Sequence, residues 1–520
     1  MKNRINLFLL PSFDGTIRTD LRRGLLFLIL HFSLFTLCLL SSCDDYDIFT
    51  TDRSAVLTFS RDTIAFDTLL VTVPSSTQTL IVHNIGDKGL RISDIQLEGG
   101  AGSLFRINID GQDMSRSQAN HVQDFEIRRR DSIIVRAEVT IPSFDEDQPR
   151  NYSDALLFTL ESGIQQRILL TVVGQEAWFL NGHTVKTDTT FATRRPIVIY
   201  DSLVVAENAT LTILSPTRLF FHDGASLIVH GQLQAQGSFA QPVVMRGDRT
   251  DHMFDYLPYD RLPGRWGGVH LTAESSGNKL DYVDLHGGSF GIRCDSSDVA
   301  STKLILTNSR LHQLGGDGLS FINCHVEVAN TEISNTQGHC VWFCGGDATF
   351  THCTLAQFYP LDANRGFALD FSITQGDGIY HPLERADFVN CVITGYGEDV
   401  LLMPSLDRQV LPSDVAEIPI NYRFHHCFLT TTVPEGTEYS DRFVDCTLDD
   451  LKAELNREKH FQSLDTHLFL YDFTPIEASP IRAMADSMYS ILWPADRLGH
   501  LRLMDGSADA GCYEFVGNTK

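Results

Sequence analysis

LDYVDL (280–285), LTNSRL (306–311), VANTEI (328–333), FTHCTL (350–355), FVNCVI (388–393), FHHCFL (424–429) and FVDCTL (443–448) are seven versions of one six-residue phrase. Their starts lie 26, 22, 22, 38, 36 and 19 residues apart, a unit near 22 residues interrupted by two longer insertions. The first position is a large apolar residue, the third usually Asn, His or Asp, the fourth small and the sixth Leu or Ile. An Asn-like residue tolerates the left-handed backbone of a bend between two short strands. Positions one, four and six then face inward. A unit this short cannot bury its apolar residues alone and must stack on its neighbours. The pattern predicts a right-handed parallel β-helix.

Working upstream, the stretch ATLTILSPTRLFFHDGASLIVHGQLQAQGSFAQPVVMRG (209–247), then GRWGGVHL (264–271) and NKLDYVDLHGGSFGI (278–292), resembles the opening coils of bacterial β-helix surface proteins of the pectin-lyase-like type. The resemblance runs from about Trp178 to SADAGCYEF (507–515). It implies a fold and leaves the activity open, because lyases, glycosidases, epimerases, adhesins and inert spacers share it. Coils about 4.8 Å apart would number roughly eleven, in a rod on the order of 50 Å long. Its open ends need caps; the start of the coil and the C-terminal segment, with a short helix over TLDDLKAELN (447–456), are the candidates. Trp266 reads as a core anchor of an early coil.

Between Ala55 and Gln175 the period is two. VLTF (56–59), LLVTV (69–73), TLIVHN (79–84), LRISDIQL (90–97), SIIVRAEV (132–139), ALLFTL (155–160) and RILLTVV (167–173) are short, β-branched and bounded by turn residues. Seven such strands predict a two-sheet sandwich. The run TLIVHNIGDKGLRISDIQLEGGAGSLFRI, with the closing LLTVVGQ, looks like the immunoglobulin-like domains of the ASPM, SPD-2 and hydin type, which implies a spacer or interaction module. The expected organisation is a leader over 1–42, a linker over 43–54, a sandwich over 55–176, a β-helix over 177–455, and irregular final coils with a cap over 456–520. The fold class is all-β.

The leader has a basic n-region, an apolar run from Gly24 to Leu40, and LSSC at 40–43. That order reads as a secretory signal. The tetrapeptide resembles the lipobox of bacterial lipoproteins, which implies cleavage before Cys43, its lipidation, and attachment to the outer membrane of a Gram-negative cell on the periplasmic or outer side. A run of 17 residues containing His31 is short for a transmembrane helix. The full chain of 520 residues has a formal charge of −25; without residues 1–42 it has 36 basic and 64 acidic side chains, a charge of −28. An acidic surface disfavours nucleic acid and anionic lipid, so the expected partners are the membrane through the lipid and a polysaccharide or cell-surface ligand. The chain is expected to be a monomer.

Of the 11 cysteines, Cys353, Cys391, Cys427 and Cys446 share the fourth position of the phrase and form an interior column. Their spacing of about 4.8 Å is too wide for a disulfide, so they read as buried thiols. Cys340 and Cys344, with His339 and His352 nearby, read as strand alternation, and no metal or cofactor is expected, Ca²⁺ entering only for a lyase.

LTNSRL, GGDGL and GHC, in that order, echo motifs of the polygalacturonase family. The match fails where Arg310 replaces an Asp, where the expected Asp pair is Asp317-Gly318, and where no Arg-Ile-Lys follows. A general acid opposite a water-activating base needs two carboxylates, which these positions do not supply. Other candidates gather in the insertions 356–387 and 394–423, which leave the repeat at equivalent points and could wall one groove. Asp377, His381, Arg385 and Arg365 are the candidates for catalysis; Tyr359, Tyr380, Tyr396, Asp370 and Glu398 are those for binding a sugar. Lacking a complete lyase or hydrolase constellation, the sequence favours a noncatalytic binding or scaffold module, with a polysaccharide lyase or glycosidase in the insertion groove as the alternative.

Overall fold

A computed structural model describes residues 48–116, 120–376, 378–406, 417–434, 436–449 and 457–517. Cys43, the leader, Asp377 and the expected helix from Asp450 onward lie outside the described residues. No helix among the described residues is long and apolar enough to cross a membrane.

The N-terminal unit is a sandwich of two five-stranded sheets. Six of the seven expected strands fall where the sequence puts them, and the one expected at 69–73 runs instead over Thr63–Leu70; Phe105–Ile109, Gln112–Asp113 and His121–Ile127 complete the sandwich. The last of these, HVQDFEI, is an edge strand whose charged residues blur the alternation. Ile64, Leu80, Val82, Ile92, Val135 and Phe158 fill the space between the sheets, all fully buried.

Gln165–Gln175 closes the sandwich and leads almost directly into Trp178–Val185, the first strand of the helix. The junction is buttressed. Glu176 accepts hydrogen bonds from the backbone N–H of Phe144 at 2.8 Å and Asp145 at 3.0 Å, while Leu70, Ala177, Val198 and Phe220 form a small apolar core between the units.

The second unit is a right-handed parallel β-helix. A full coil has three strands, as in Thr302–Thr307, Arg310–Leu314 and Leu319–Ile322. The first strand of each coil joins a ten-stranded parallel sheet, and the second and third join one long 18-stranded sheet. Ten strands about 4.8 Å apart make a rod of roughly 45 Å, one coil shorter than the sequence expectation.

The phrase works as its chemistry requires. Its third position holds positive φ in every copy: Tyr282 (49°), Asn308 (52°), Asn330 (51°), His352 (51°), Asn390 (55°), His426 (51°) and Asp445 (51°). Positions one, four and six are buried in the first six copies and partly exposed in the last, and the first-position rings stack along the axis, Phe350 on Phe388 at 5.0 Å, Phe388 on Phe424 at 4.8 Å and Phe424 on Phe443 at 5.1 Å. A second file, Phe321, Phe343 and Phe371, stacks at 4.6 and 5.2 Å. The nine cysteines from Cys294 to Cys512 are all free. Those of the column donate weakly to strand carbonyls, Cys391 to Val389 at 3.3 Å and Cys427 to Phe388 at 3.3 Å. Trp266 is buried, stacks on Phe221 at 4.3 Å and donates to the carbonyl of His286 at 2.8 Å.

Two expectations change. The insertions do not leave at one point, because each contains a regular strand, Leu369–Ser372 in the first and Leu401–Leu402 in the second. Their extra length therefore divides between two corners of the coil. The C-terminal segment runs back along the side of the helix: Phe461–Asp465 and Leu470–Pro475 form a hairpin, and Phe461, Phe473, Cys512 and Tyr513 pack on the outward-facing Ala356, Phe358, Val392 and Phe428.

Candidate functional site

The residues proposed from the insertions fall into separate places. Tyr359 is buried, and Arg365 donates to the carbonyls of Tyr359 at 3.2 Å and Asp362 at 3.1 Å while covering the Tyr396 ring at 5.0 Å. Arg365 thus braces its own loop, and Tyr359 offers no free face to a sugar. Tyr396 packs edge-on against Phe358 within the core under the C-terminal segment, and Glu398 is exposed. Tyr380 and His381 sit at the other corner, Tyr380 bridging to Thr374 and His381 donating its N–H to Ile373 at 2.8 Å. Arg385 lies on the ten-stranded sheet, paired with Asp347 at 2.7 Å. No single groove gathers them, because the corners of a coil face different sides.

Asp370 alone has a chemically suggestive setting. It lies on the third strand of its coil, in register with Trp342, and its Oδ2 is 3.6 Å from His339 Nε2. Phe367 donates its N–H to His339 Nδ1 at 3.1 Å, which leaves the ring proton on Nε2, facing Asp370. Asp317 holds the same turn, accepting the His339 N–H at 2.8 Å. Burial raises the Asp370 carboxyl above its usual range; His339 offsets part of that and the Asp317 charge adds to it.

Two adjoining cavities of about 320 and 510 Å³ open where the sandwich meets the helix. They share Ser76, Arg249 and Asp251. The insertion 248–266 forms one wall. Its hairpin, His252–Phe254 with Leu257–Pro258, carries exposed Met253, Phe254 and Tyr256; Phe254 stacks on Tyr256 at 5.7 Å and Tyr256 on His467 at 4.4 Å. At the base, Arg249 grips Asp251 through two bonds of 2.7 and 2.6 Å and lies over the Tyr259 ring at 4.0 Å. Burial pushes the Asp251 carboxyl up, but the Arg249 fork and the Ser76 hydroxyl outweigh it and hold it below the carboxylate range. His252 Nδ1 lies 2.5 Å from Asp67 of the sandwich, which ties the hairpin to the other unit, and His222 Nδ1 is 2.7 Å from Asp248. The volumes of the two cavities fall in the range of ligand sites, and the larger one is lined mainly by polar and charged side chains, with Met253, Phe254 and Tyr259 as its apolar surfaces.

The sequence candidates lie in the two later insertions, 356–387 and 394–423, whereas HMFDYLPYDR (252–261) falls in an earlier interruption, upstream of the first six-residue phrase. A run with three aromatic residues and no apolar periodicity was the available signal.

A third constellation lies on the outer face of the long sheet. Asp284 Oδ1 is 2.6 Å from His286 Nδ1 and 3.1 Å from His312 Nε2; His286 Nε2 is 2.9 Å from Asp260 Oδ1, and Arg246 reaches Asp260 at 2.7 Å. Burial opposes charge on His286, but Asp284 and Asp260 raise it to about 9, while burial and Arg310 lower His312 to about 4. The signal here was legible: LDYVDLH and LTNSRLH put Asp or Arg and then His at the outward fifth and seventh positions of successive phrases.

No family's sequence profile and no curated protein matches this chain. Among solved structures it is similar to the family 28 exopolygalacturonase of Yersinia enterocolitica, with 10% identity over 72% of this chain and 86% of that one and a TM-score of 0.28. A family 123 glycoside hydrolase from Clostridium perfringens is similar over 25% of this chain and 26% of its own length, at 7% identity and a TM-score of 0.18. A protein of unknown function from Porphyromonas gingivalis W83 shares 14% identity over 25% of this chain and 59% of its own, with a TM-score of 0.16. The two latter structures are matched over less than two thirds of their length. The fold described above rests on this chain's own strand pairings.

Proposed function

We propose that this chain is a lipid-anchored binding module of the outer membrane, held there through Cys43, that takes a glycan in the cleft between its sandwich and its β-helix. One observation carries the glycan reading: the exposed Phe254 ring and the half-buried Tyr259 ring line an open cleft together with the fixed Arg249–Asp251 fork. A sugar offers flat C–H faces and a rim of hydroxyls, and this pairing of aromatic faces with fixed polar groups complements both. The sandwich serves as spacer and second wall, with no nucleic acid involved. The test is affinity electrophoresis of the protein against acidic and neutral polysaccharides. Retardation by at least one glycan, lost in Phe254→Ala with Tyr259→Ala, is the expected result; a double variant retarded as strongly as wild type overturns the placement. Metabolic labelling with palmitate tests the anchor, since incorporation must vanish in Cys43→Ala.

A second reading, a carbohydrate-active enzyme, is favoured by the raised carboxyl of Asp370 beside the oriented His339. A carboxyl whose pKa is raised by burial is closer to the range in which it can act as a general acid. Release of reducing ends or unsaturated products by wild type, absent in Asp370→Asn, would favour this reading over the noncatalytic one.

A further inference from the structure

We propose that Asp284, His286 and His312 bind a single divalent transition-metal ion of the zinc class on the outer face of the long sheet. The proposal is independent of the glycan reading. Asp284 and His286 are two apart on Val283–His286, so the pleat points both to one side, and His312 stands in register on the next coil. Each offers one donor atom, and the three atoms lie within 4.8 Å of one another. Zinc bonds of about 2.0–2.2 Å place neighbouring donors of a tetrahedral site about 3.3 Å apart. The observed 2.6 and 3.1 Å need shifts of less than about 1 Å to reach that spacing.

Two further features point to a ligand. Behind His286, Asp260 accepts from Nε2 at 2.9 Å and is itself anchored by Arg246 at 2.7 Å. A carboxylate behind the ring is the support that fixes tautomer and orientation in metal-bound histidines. The competing cation is engaged elsewhere: Arg310, in register with Asp284, donates through Nε to Glu332 at 3.0 Å and through Nη2 to the Tyr471 carbonyl at 3.5 Å. The Asp284 side chain keeps 22% of its surface, against 11% and 8% for the two histidines, so solvent reaches the fourth position through the carboxylate. Two imidazoles and one carboxylate select zinc, cobalt or nickel over calcium or magnesium. The other cluster, His425, His426 and Asp486, is already committed: His426 Nδ1 lies 2.7 Å from the Met484 carbonyl and Asp486 caps the turn at Met488.

The test is titration of chelator-stripped full-length protein with Co²⁺, followed by its visible absorption, and with Zn²⁺, followed by bound metal after gel filtration. One equivalent with the intensity of a four-coordinate Co²⁺ site is expected. It should be abolished in His286→Gln and His312→Gln, weakened about 10–100-fold in Asp260→Asn, and unchanged in His425→Gln with His426→Gln. Uptake retained by His286→Gln and His312→Gln, or lost on changing His425 and His426, overturns the assignment. Should either imidazole variant fail to fold, the wild-type titration and the partly exposed Asp260→Asn decide: a wild type that takes up neither ion, or an Asp260→Asn that binds as tightly as wild type, overturns it.

Discussion

Replacing Phe388 by alanine tests whether the ring file along the axis holds the rod together. Phe388 is fully buried, with Phe350 at 5.0 Å on one side and Phe424 at 4.8 Å on the other. Emptying such a site costs about 3–5 kcal/mol through lost burial and the cavity left behind. Two stacked partners, each contributing about 0.5–1.5 kcal/mol beyond burial, put Phe388→Ala at the top of that range, about 5 kcal/mol. Phe443 ends the file, half-buried and with one stacked partner at 5.1 Å, so Phe443→Ala should cost about 2 kcal/mol. Phe388→Leu, which keeps most of the volume, should cost about 1.5 kcal/mol. The assay is guanidinium unfolding followed by tryptophan fluorescence. All four tryptophans, Trp178, Trp266, Trp342 and Trp493, lie beyond the sandwich, so the signal reports the helix and its covering segment alone. Equal costs for Phe388→Ala and Phe443→Ala, or a leucine variant as damaged as the alanine one, would refute the reasoning.

Other outcomes follow from single residues. His352 is buried, with Nε2 accepting from Asn390 Nδ2 at 3.0 Å and Nδ1 donating to the Gly511 carbonyl at 3.3 Å, and burial followed by Arg502 holds its pKa well below 6.5. The fold therefore refuses a proton that the unfolded chain accepts below about pH 6.5; its contribution is complete above that pH and is lost as pH falls. Wild type should lose about 1 kcal/mol more than His352→Gln between pH 7 and 5.5 in parallel denaturation curves. Asn390→Val puts a β-branched residue at φ 55° and removes the bonds to Asp486, so a loss of about 3 kcal/mol is expected by the same denaturation assay. In a soluble form beginning after Cys43, a thiol reagent should find nine groups in denaturant and about one, the half-buried Cys446, in the native state; seven or fewer in denaturant would require a bridge.

Much of the architecture could be read from the chain because its code is local. Apolar residues at positions one and six and a small residue at four declare themselves in every copy from Leu280 to Leu448, and a bend residue at three in all but the first. What escaped was non-local. Tyr396 looked like a sugar platform in sequence and packs against the core in the structure, because the later segment containing Phe461 and Phe473 covers that side. Arg385 and Arg365 were candidates for catalysis, yet one answers Asp347 across the next coil and the other braces its own loop. Whether an insertion stays on one corner depends on whether it hides a regular strand, and LDFS (369–372) is too short to announce itself. The edge strand HVQDFEI was missed for a related reason: one face of it meets water, and charge breaks the alternation.

The segment laid along the helix also decides how the molecule carries load. Arg502 donates to Asn330 at 2.6 Å, Cys512 to Thr354 at 3.1 Å and Gly511 to Asn390 at 2.8 Å, so the covering strip is fastened to three successive coils. Tension applied there enters the middle of the rod in shear, across several bonds at once. Applied instead to the last strand, Thr447–Leu448, it would peel an edge one bond at a time. A rod tethered at its sandwich end and pulled through this strip is mechanically a riveted beam, and its coils resist as a block.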